Sequence, residues 1–309
     1  MRYQLDDLET FLTVMELGTI TAAAARLNLS KSVVSKRIAD LETALGAALF
    51  RRNAGRITPT EAALHLAERL RPALNELAAA TEGAAWQMDG LAPLRGRLSI
   101  SAPMSFGLLH LGPIIASFAA QNPQLEILVD YDDRSRDLVR DGFDIALRIG
   151  DIRDRALMQR KLCQDESIAC ASPEYLRQHG QPRSLADLRQ HQVIAYSHVP
   201  NSLLWQFRDR DRFVSPPVSG RLTLNNGEAI RCMAVAGLGL AMLPGFIAAP
   251  ALARGELLRI LPDHPTRPMP IVALWPPVNP MPAKLRRFVD HLAAALKQPP
   301  WQSAPQKPS

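Results

Sequence analysis

Thr21-Ala22-Ala23-Ala24-Ala25-Arg26-Leu27-Asn28-Leu29-Ser30-Lys31-Ser32-Val33-Val34-Ser35-Lys36-Arg37-Ile38 decides the reading of the chain. Alanine has the highest helix propensity, and Thr21 is placed to cap the amides of a helix through Leu27. Asn28 tolerates the left-handed conformation that a tight turn requires, and Ser30 caps a second helix. In that second helix Val34, Ile38 and Leu41 recur at helical spacing and face inward, leaving Lys31, Ser32, Ser35, Lys36 and Arg37 around the remaining circumference. One side packs and the other is cationic and hydrogen-bonding, the division that a helix entering the major groove needs. By itself the pair also fits an ordinary helical hairpin.

Working outward removes much of that ambiguity. Gly46 stops the second helix, and Leu49-Phe50-Arg51-Arg52-Asn53-Ala54-Gly55-Arg56-Ile57-Thr58 reads as a two-stranded wing with Asn53 and Gly55 at its turn. Between Arg26 and Arg56 stand Arg26, Lys31, Lys36, Arg37, Arg51, Arg52 and Arg56 against Asp40 and Glu42. That local excess of five nearly equals the formal charge of +6 for all 309 residues. Positive charge is therefore focused on one surface, as nucleic-acid binding requires. Upstream, a helix after Asp6 puts Leu8, Phe11, Leu12 and Met15 on one face, with Glu9 closing a capping box.

These residues resemble the LysR-type transcriptional regulators. The resemblance runs through Asp7-Leu8-x-x-Phe11, Thr21-x-Ala23-Ala24-x-x-Leu27, Leu29-Ser30, Val34-Ser35, Ile38-x-x-Leu41-Glu42, Leu45-Gly46, Leu49-Phe50-x-Arg52 and Thr58-x-Thr60-Glu61-Ala62. Lys31-Ser32 replace the glutamine and proline usual there, which bears on the operator sequence rather than on DNA binding. Ala63 stands where glycine usually follows.

The expected fold is α/β: a winged helix-turn-helix over 1–59, a coiled-coil linker helix over 60–88 for dimerisation, a hinge at 89–94 and an effector-binding domain over 95–297. The linker carries Ala63, Leu66, Leu70, Ala73, Leu77, Ala80 and Ala84 at alternating steps of three and four, with Pro72 expected to kink it or force a local adjustment. Beyond the hinge, strand-like and helix-like stretches alternate, which implies parallel strands covered by helices on both faces. They include strands over 98–101, 125–130, 143–149, 167–170, 193–196, 221–224, 239–243 and 271–275. Helices are expected over 106–120, 134–140, 173–179, 184–189, 227–236, 246–254 and 283–296. The resemblance implies two lobes as in periplasmic binding proteins, lobe I from 95–163 and 269–297 and lobe II from 164–268. The proline-rich tail, 298–309, is expected to be disordered.

Ligands of open α/β sheets bind beyond the carboxyl ends of strands, where free amides favour anions. Ser101, Pro103, Met104, Ser105 and Phe106 occupy such a corner; Asp133, Arg148, Ser197, Asn225 and Asn226 occupy others. Together they are the candidate lining of an interlobe cleft for a small-molecule effector such as a carboxylate. Taken singly, Ser105, Asp133 and Asn226 equally suit helix caps, and Arg148 suits a salt bridge. The candidate DNA contacts are Thr21, Lys31, Ser32, Ser35, Lys36, Arg37, Arg51, Arg52, Arg56 and Thr58. Lys31, Ser32 and Ser35 are assigned to base edges and the basic residues after them mainly to phosphates or the minor groove.

Other functions find less support. There is no Gly-x-Ser-x-Gly elbow, phosphate-binding loop or metal-ligand histidine spacing, and Gly237-x-Gly239 is half a dinucleotide fingerprint in the wrong context, so no enzyme, cofactor or metal is expected. A solute-binding protein would match the two lobes but not the helix-turn-helix, and an architectural DNA binder would not need the lobes. Cys163, Cys170 and Cys232 are expected as buried, inert thiols. No signal peptide or ~18-residue apolar run is read, which points to the cytoplasm, on the bacterial nucleoid, without a membrane partner. The expected partners are double-stranded promoter DNA, the effector and further copies of the chain in a homodimer or homotetramer.

Overall fold

A computed structural model describes residues 3–53, 56–86, 93–134, 137–150, 152, 154, 156–198 and 205–302. The chain divides into two compact units, one built mainly from residues 1–90 and the other mainly from 91–138, 143–277 and 283–309.

The first unit opens with α1 (Leu5–Leu17), α2 (Ile20–Leu27) and α3 (Lys31–Leu45), continues through the strands β1 (Phe50–Asn53) and β2 (Arg56–Pro59), and ends in α4 (Glu61–Trp86). Local chemistry sets the boundaries. Gly18 ends α1 in the left-handed region, and the next residue, Thr19, caps α2 through the Ala22 amide at 3.1 Å. The cap expected at Thr21 is thus two residues early, and Thr21 lies exposed in the first turn. Asn28 is left-handed at φ 52°, Ser30 accepts the Val33 N–H at 3.3 Å, and Gly46 closes α3 at φ 66°. At α1 the Gln4 amide donates to Asp7 at 2.8 Å, so the capping carboxylate is Asp7 and not Glu9. Phe11, Val14, Ala23, Ala24, Val34, Ile38, Leu41, Leu49, Phe50, Ala63 and Ala67 form the core. β1 and β2 pair antiparallel, and positions 54 and 55 of the expected wing turn lie outside the described residues. α4 is helical on both sides of position 72.

The second unit begins with β3 (Gly96–Ala102) and α5 (Met104–Phe106), then a π turn over Gly107–Leu111 leading into α6 (Gly112–Gln121). Pro113 has no N–H for the carbonyl of Leu109, which accounts for the wide turn, and the Gly112 N–H reaches back to Gly107 O. Next come β4 (Leu125–Tyr131), α7 (Leu138–Asp141), β5 (Ile145–Ile149) and a long strand, β6 (Met158–Ala171). α8 (Pro173–His179), β7 (Gln192–Tyr196), the hairpin β8 (Phe207–Asp209) and β9 (Arg212–Val214), β10 (Ser219–Leu224) and α9 (Gly227–Val235) follow. The unit closes with β11 (Leu240–Pro244), α10 (Gly245–Ala253), β12 (Leu258–Arg259), β13 (Pro268–Trp275) and α11 (Ala283–Ala295).

The main sheet runs β10-β7-β11-β6-β13-β5-β3-β4. β3 is parallel to β4 and β5, and β7 is parallel to β10 and β11. β13 runs antiparallel to β5 and β6, and β11 antiparallel to β6, so the sheet is mixed where an all-parallel one was expected. β6 and β13 cross together between two parallel halves, the pairs Gln164↔Pro270 and Asp165↔Met269 marking the crossing.

Four further expectations change. The helix expected over 134–140 is the short α7, with positions 135 and 136 outside the described residues, and the segment 185–190 is a 3-10 turn. Met104–Gln121 is 18 residues long and apolar enough, by length and composition alone, to cross a membrane, contrary to the expectation that no run reaches that length. Here it is a layer of the domain, with Phe106, Leu111 and Phe118 buried and Phe118 packed on Phe288 of α11 at 5.0 Å. Finally, the tail expected to be disordered forms a 3-10 turn at Pro300–Gln302 with Trp301 buried; 303–309 lie outside the described residues, as do 87–92 of the expected linker end and hinge.

Candidate DNA interface and effector cleft

Helix α3 sorts its side chains by face. Val34, Ile38 and Leu41 are buried, Lys31, Ser32 and Lys36 are exposed, and Ser35 is half-buried beside them. The Ser32 hydroxyl lies 2.8 Å from that of Ser30, which holds it at the helix start. Arg37 is turned the other way. Its guanidinium donates to the Asp6 carboxylate at 2.8 Å and to the Thr10 hydroxyl at 3.1 Å, bracing α3 against α1. Val33, unremarked in the sequence, is 39% exposed on the open face and presents a methyl surface of the kind that meets thymine. Arg51 and Thr58 are opposite one another across the β1–β2 ladder, both exposed, and Arg52 and Arg56 take neighbouring rungs.

The wing is tied to α3 by one carboxylate. Glu42 Oε1 accepts the Leu49 N–H at 2.7 Å and the Phe50 N–H at 3.1 Å. Thr60 then links the wing to the next helix, donating to Ala48 O at 2.8 Å and accepting the Ala63 N–H at 3.2 Å.

In the second unit, the corner after β3 brings together several of the residues singled out in the sequence. Ser101 is buried in β3, and its hydroxyl accepts both terminal nitrogens of Arg148 at 3.2 Å. Pro103 precedes α5, and the Met104 N–H that begins this helix donates to Asp133 at 2.8 Å. Asp133 therefore caps α5, the helix before it in sequence. Asp133 also faces Tyr196 at the end of β7, in the other half of the sheet. Burial, then the charge of Asp133 and its hydrogen bond, then Asp132, push the Tyr196 hydroxyl above its ordinary pKa. Tyr196 was not picked out from the sequence.

A second bond crosses the halves: the Asn226 amide donates to the Ser105 hydroxyl at 3.4 Å while its oxygen caps α9 through the Ala229 N–H at 3.0 Å. Gly227 lets α9 approach α10 closely: a Cβ there would lie 2.4 Å from Ile247 Cδ1, so the isoleucine side chain would have to turn aside. Ser197 and Asn225 are exposed, Ser197 donating its backbone N–H to Leu224 O at 2.8 Å. Phe106 is fully buried and faces inward, in edge contact with Phe246 at 5.4 Å. A surface pocket of about 250 Å³ lies elsewhere, between Gln181–Arg183 and Leu261–His264.

Cys163 and Cys170 are buried on β6, and burial pushes each thiol up to about 12, with Asp165 adding to the rise at Cys163. Cys232 is exposed on α9, which corrects the expectation that all three thiols are buried. No cluster of histidine, cysteine or carboxylate side chains suited to a metal occurs among the described residues.

A cationic winged helix-turn-helix on the same chain as a two-halved α/β unit, with polar groups meeting between its halves, defines an effector-responsive DNA-binding regulator. Known proteins agree. Residues 5–64 match the bacterial regulatory helix-turn-helix protein, lysR family, and residues 92–297 match the LysR substrate binding domain. The chain is 34% identical to the HTH-type transcriptional regulator PtxR of Pseudomonas aeruginosa, over 97% of this chain and 95% of that protein. Among solved structures it is similar to full-length AphB of Vibrio cholerae (28% identity, TM-score 0.58, 94% of this chain and 99% of that one). It is also similar to CrgA of Neisseria meningitidis (28% identity, TM-score 0.59, 96% of this chain and 99% of that one). The chain belongs to the LysR family of transcriptional regulators. It is a DNA-binding regulator with an effector-binding domain and not an enzyme.

Proposed function

We propose that α3 enters the major groove with Lys31, Ser32 and Ser35 at base edges and Val33 against thymine methyl groups, while Lys36, Arg51, Arg52, Arg56, Thr58 and Thr21 position the backbone. The observation that carries this reading is the division of α3 between a buried apolar side and an exposed side bearing Lys31, Ser32 and Lys36. Residues 1–59 act as the reading head, 60–88 as the pairing helix, 89–94 as the hinge, and the lobes over 95–163 with 269–297 and over 164–268 as the sensor. Two copies, or two pairs, join through α4, whose Leu64 and Leu77 are exposed, and through the apolar surface that includes Leu108, 64% exposed, and Leu109. Such a dimer sets two half-sites about one helical turn or a multiple apart. The protein acts in the cytoplasm, on the nucleoid.

The effector binds between the sheet halves among Ser101, Ser105, Asp133, Arg148, Tyr196 and Asn226. A carboxylate effector reaches the Met104 amide by displacing the Asp133 carboxylate, which already accepts that N–H. Such displacement also removes the partner of Tyr196, so binding changes the link between the halves.

Selection of binding sites from random duplex DNA, followed by hydroxyl-radical footprinting, tests the DNA half of this reading. Two protected half-sites in phase are expected. Ser35→Ala should change the selected sequence, whereas Arg51→Ala should weaken all sites and reduce the salt slope by about 1. A single protected site, or equal effects of the two substitutions, would overturn it.

A further inference from the structure

The family match ends at residue 297, yet the chain just beyond it is ordered and docked. Leu296 is buried at the end of α11, Pro299 is buried next, and Trp301 follows at 8% exposure. The Trp301 ring lies 4.3 Å from His110 and 5.9 Å from Phe106, which belong to the half of the sheet domain carrying β3 and β4. It lies 6.0 Å from Phe246, at the start of α10 in the half carrying β7 and β11. Its indole N–H donates to Asp165 Oδ1 at 3.2 Å, on the strand β6 that passes from one half to the other. The Gln302 side chain adds a bond to the Gln164 carbonyl on the same strand. One side chain thus touches both halves and the crossing between them.

We propose that residues 297–302 are an intramolecular latch: Trp301, seated in a box of Phe106, His110 and Phe246 and anchored on Asp165, holds the two halves of the effector domain in one arrangement, and its release frees them to move.

The anchor argues against incidental packing of a tail. Asp165 is buried at 4% exposure, and its second oxygen accepts the Phe246 N–H at 3.3 Å, so one carboxylate couples the strap to the first turn of α10. Approach is close, since a Cβ at Gly245 would lie 2.6 Å from Asp165 Oδ1. A buried carboxylate that loses a donor is costly, which makes the docked and released states distinct. The halves also meet directly here, through His110 Nε2 and the Phe246 carbonyl at 3.2 Å. The strap closes over that contact. Consecutive prolines at 299 and 300 restrict the released chain and lower the entropy lost on docking.

The test compares amide hydrogen exchange in the full-length protein, in Trp301→Ala, in Trp301→Phe and in a chain ending at Lys297. Trp301→Ala and the shortened chain should exchange at least ~10-fold faster in 104–112 and 244–249, and also at the cleft rim, 225–230, where Asn226 meets Ser105. β3 and β7 should keep their protection, and retention on random duplex DNA should be unchanged. Trp301→Phe, which keeps a ring and loses the N–H, should fall between. Unchanged rates in both halves, acceleration confined to the box with none at the rim, or a Trp301→Phe protein identical to wild type would each overturn the latch.

Discussion

Arg37 and Lys36 are neighbours of like charge with opposite employment. Both were legible as cations on the helix that follows Asn28, but a sequence does not reveal which cation already has an acid waiting 31 residues upstream. Arg37 is spent on Asp6 and Thr10, and Lys36 is exposed. Arg37→Ala should therefore cost stability, at most about 1 kcal/mol because Asp6 is more than half exposed and the pair is screened, and should leave the salt dependence of DNA binding nearly intact. Lys36→Ala should do the reverse, lowering the slope of log K against log salt by about 0.9 for the one phosphate lost without a change in melting temperature. Melting curves and salt titrations of the two variants decide the matter. Equal loss of slope in both would return Arg37 to the DNA-facing row.

At the scale of elements, caps and faces were readable because they are written within a few residues. Asn28, Ser30 and Gly46 bound their helices as their chemistry requires, and the i, i+4, i+7 spacing of Val34, Ile38 and Leu41 gave the buried side of α3. The reading failed where a long-range partner decides. β6 opens Met158-Gln159-Arg160-Lys161 and continues through Gln164-Asp165-Glu166, too polar to suggest a strand flanked on both sides, yet β13 and β11 pair with it. Residues 298–302 read as a loose tail because their partner, Asp165, lies 136 positions away. Of the candidate cleft residues, Ser101, Ser105, Asp133, Arg148 and Asn226 were picked out from strand ends, whereas the approach of Tyr196 to Asp133 required knowledge of which strands face each other. Glu42 is the same kind of case within the DNA-binding unit. Its single oxygen receiving two wing amides makes α3 and the wing one body. Glu42→Ala leaves the amides of buried Leu49 and Phe50 without that acceptor, and a loss of about 2–3 kcal/mol is expected, with Glu42→Gln recovering part. Urea unfolding together with hydrogen exchange of the wing measures this. Wild-type wing protection in Glu42→Ala would refute the coupling.

Across the whole molecule, acid is expected to act through histidines that the fold keeps neutral. His110 packs against Phe106, Phe246 and Trp301, with Glu228 the nearby acid; burial lowers its pKa below 6.5, and the Phe246 carbonyl and Glu228 only partly offset this. His191, in the other half, is lowered first by burial and then by His179, against Asp187. Unfolded histidines take up protons from about pH 6.5 downward, before the folded ones do. The stability these sites contribute is therefore present above pH 6.5 and is lost as the pH falls through the folded values. Buried Asp144 and Asp165 act with the opposite sign: burial raises their pKa, so their contribution is full below 3.8 and lost as the pH rises through the raised values. The bare pH profile mixes the two, and a difference between variants separates them. His110→Gln removes one titrating group, and its melting temperature should fall less than that of wild type between pH 6.5 and 5, by on the order of 2 °C. Parallel profiles for the two proteins would mean that His110 titrates alike in the folded and unfolded chain, and the aromatic box would then be wetter than its packing implies.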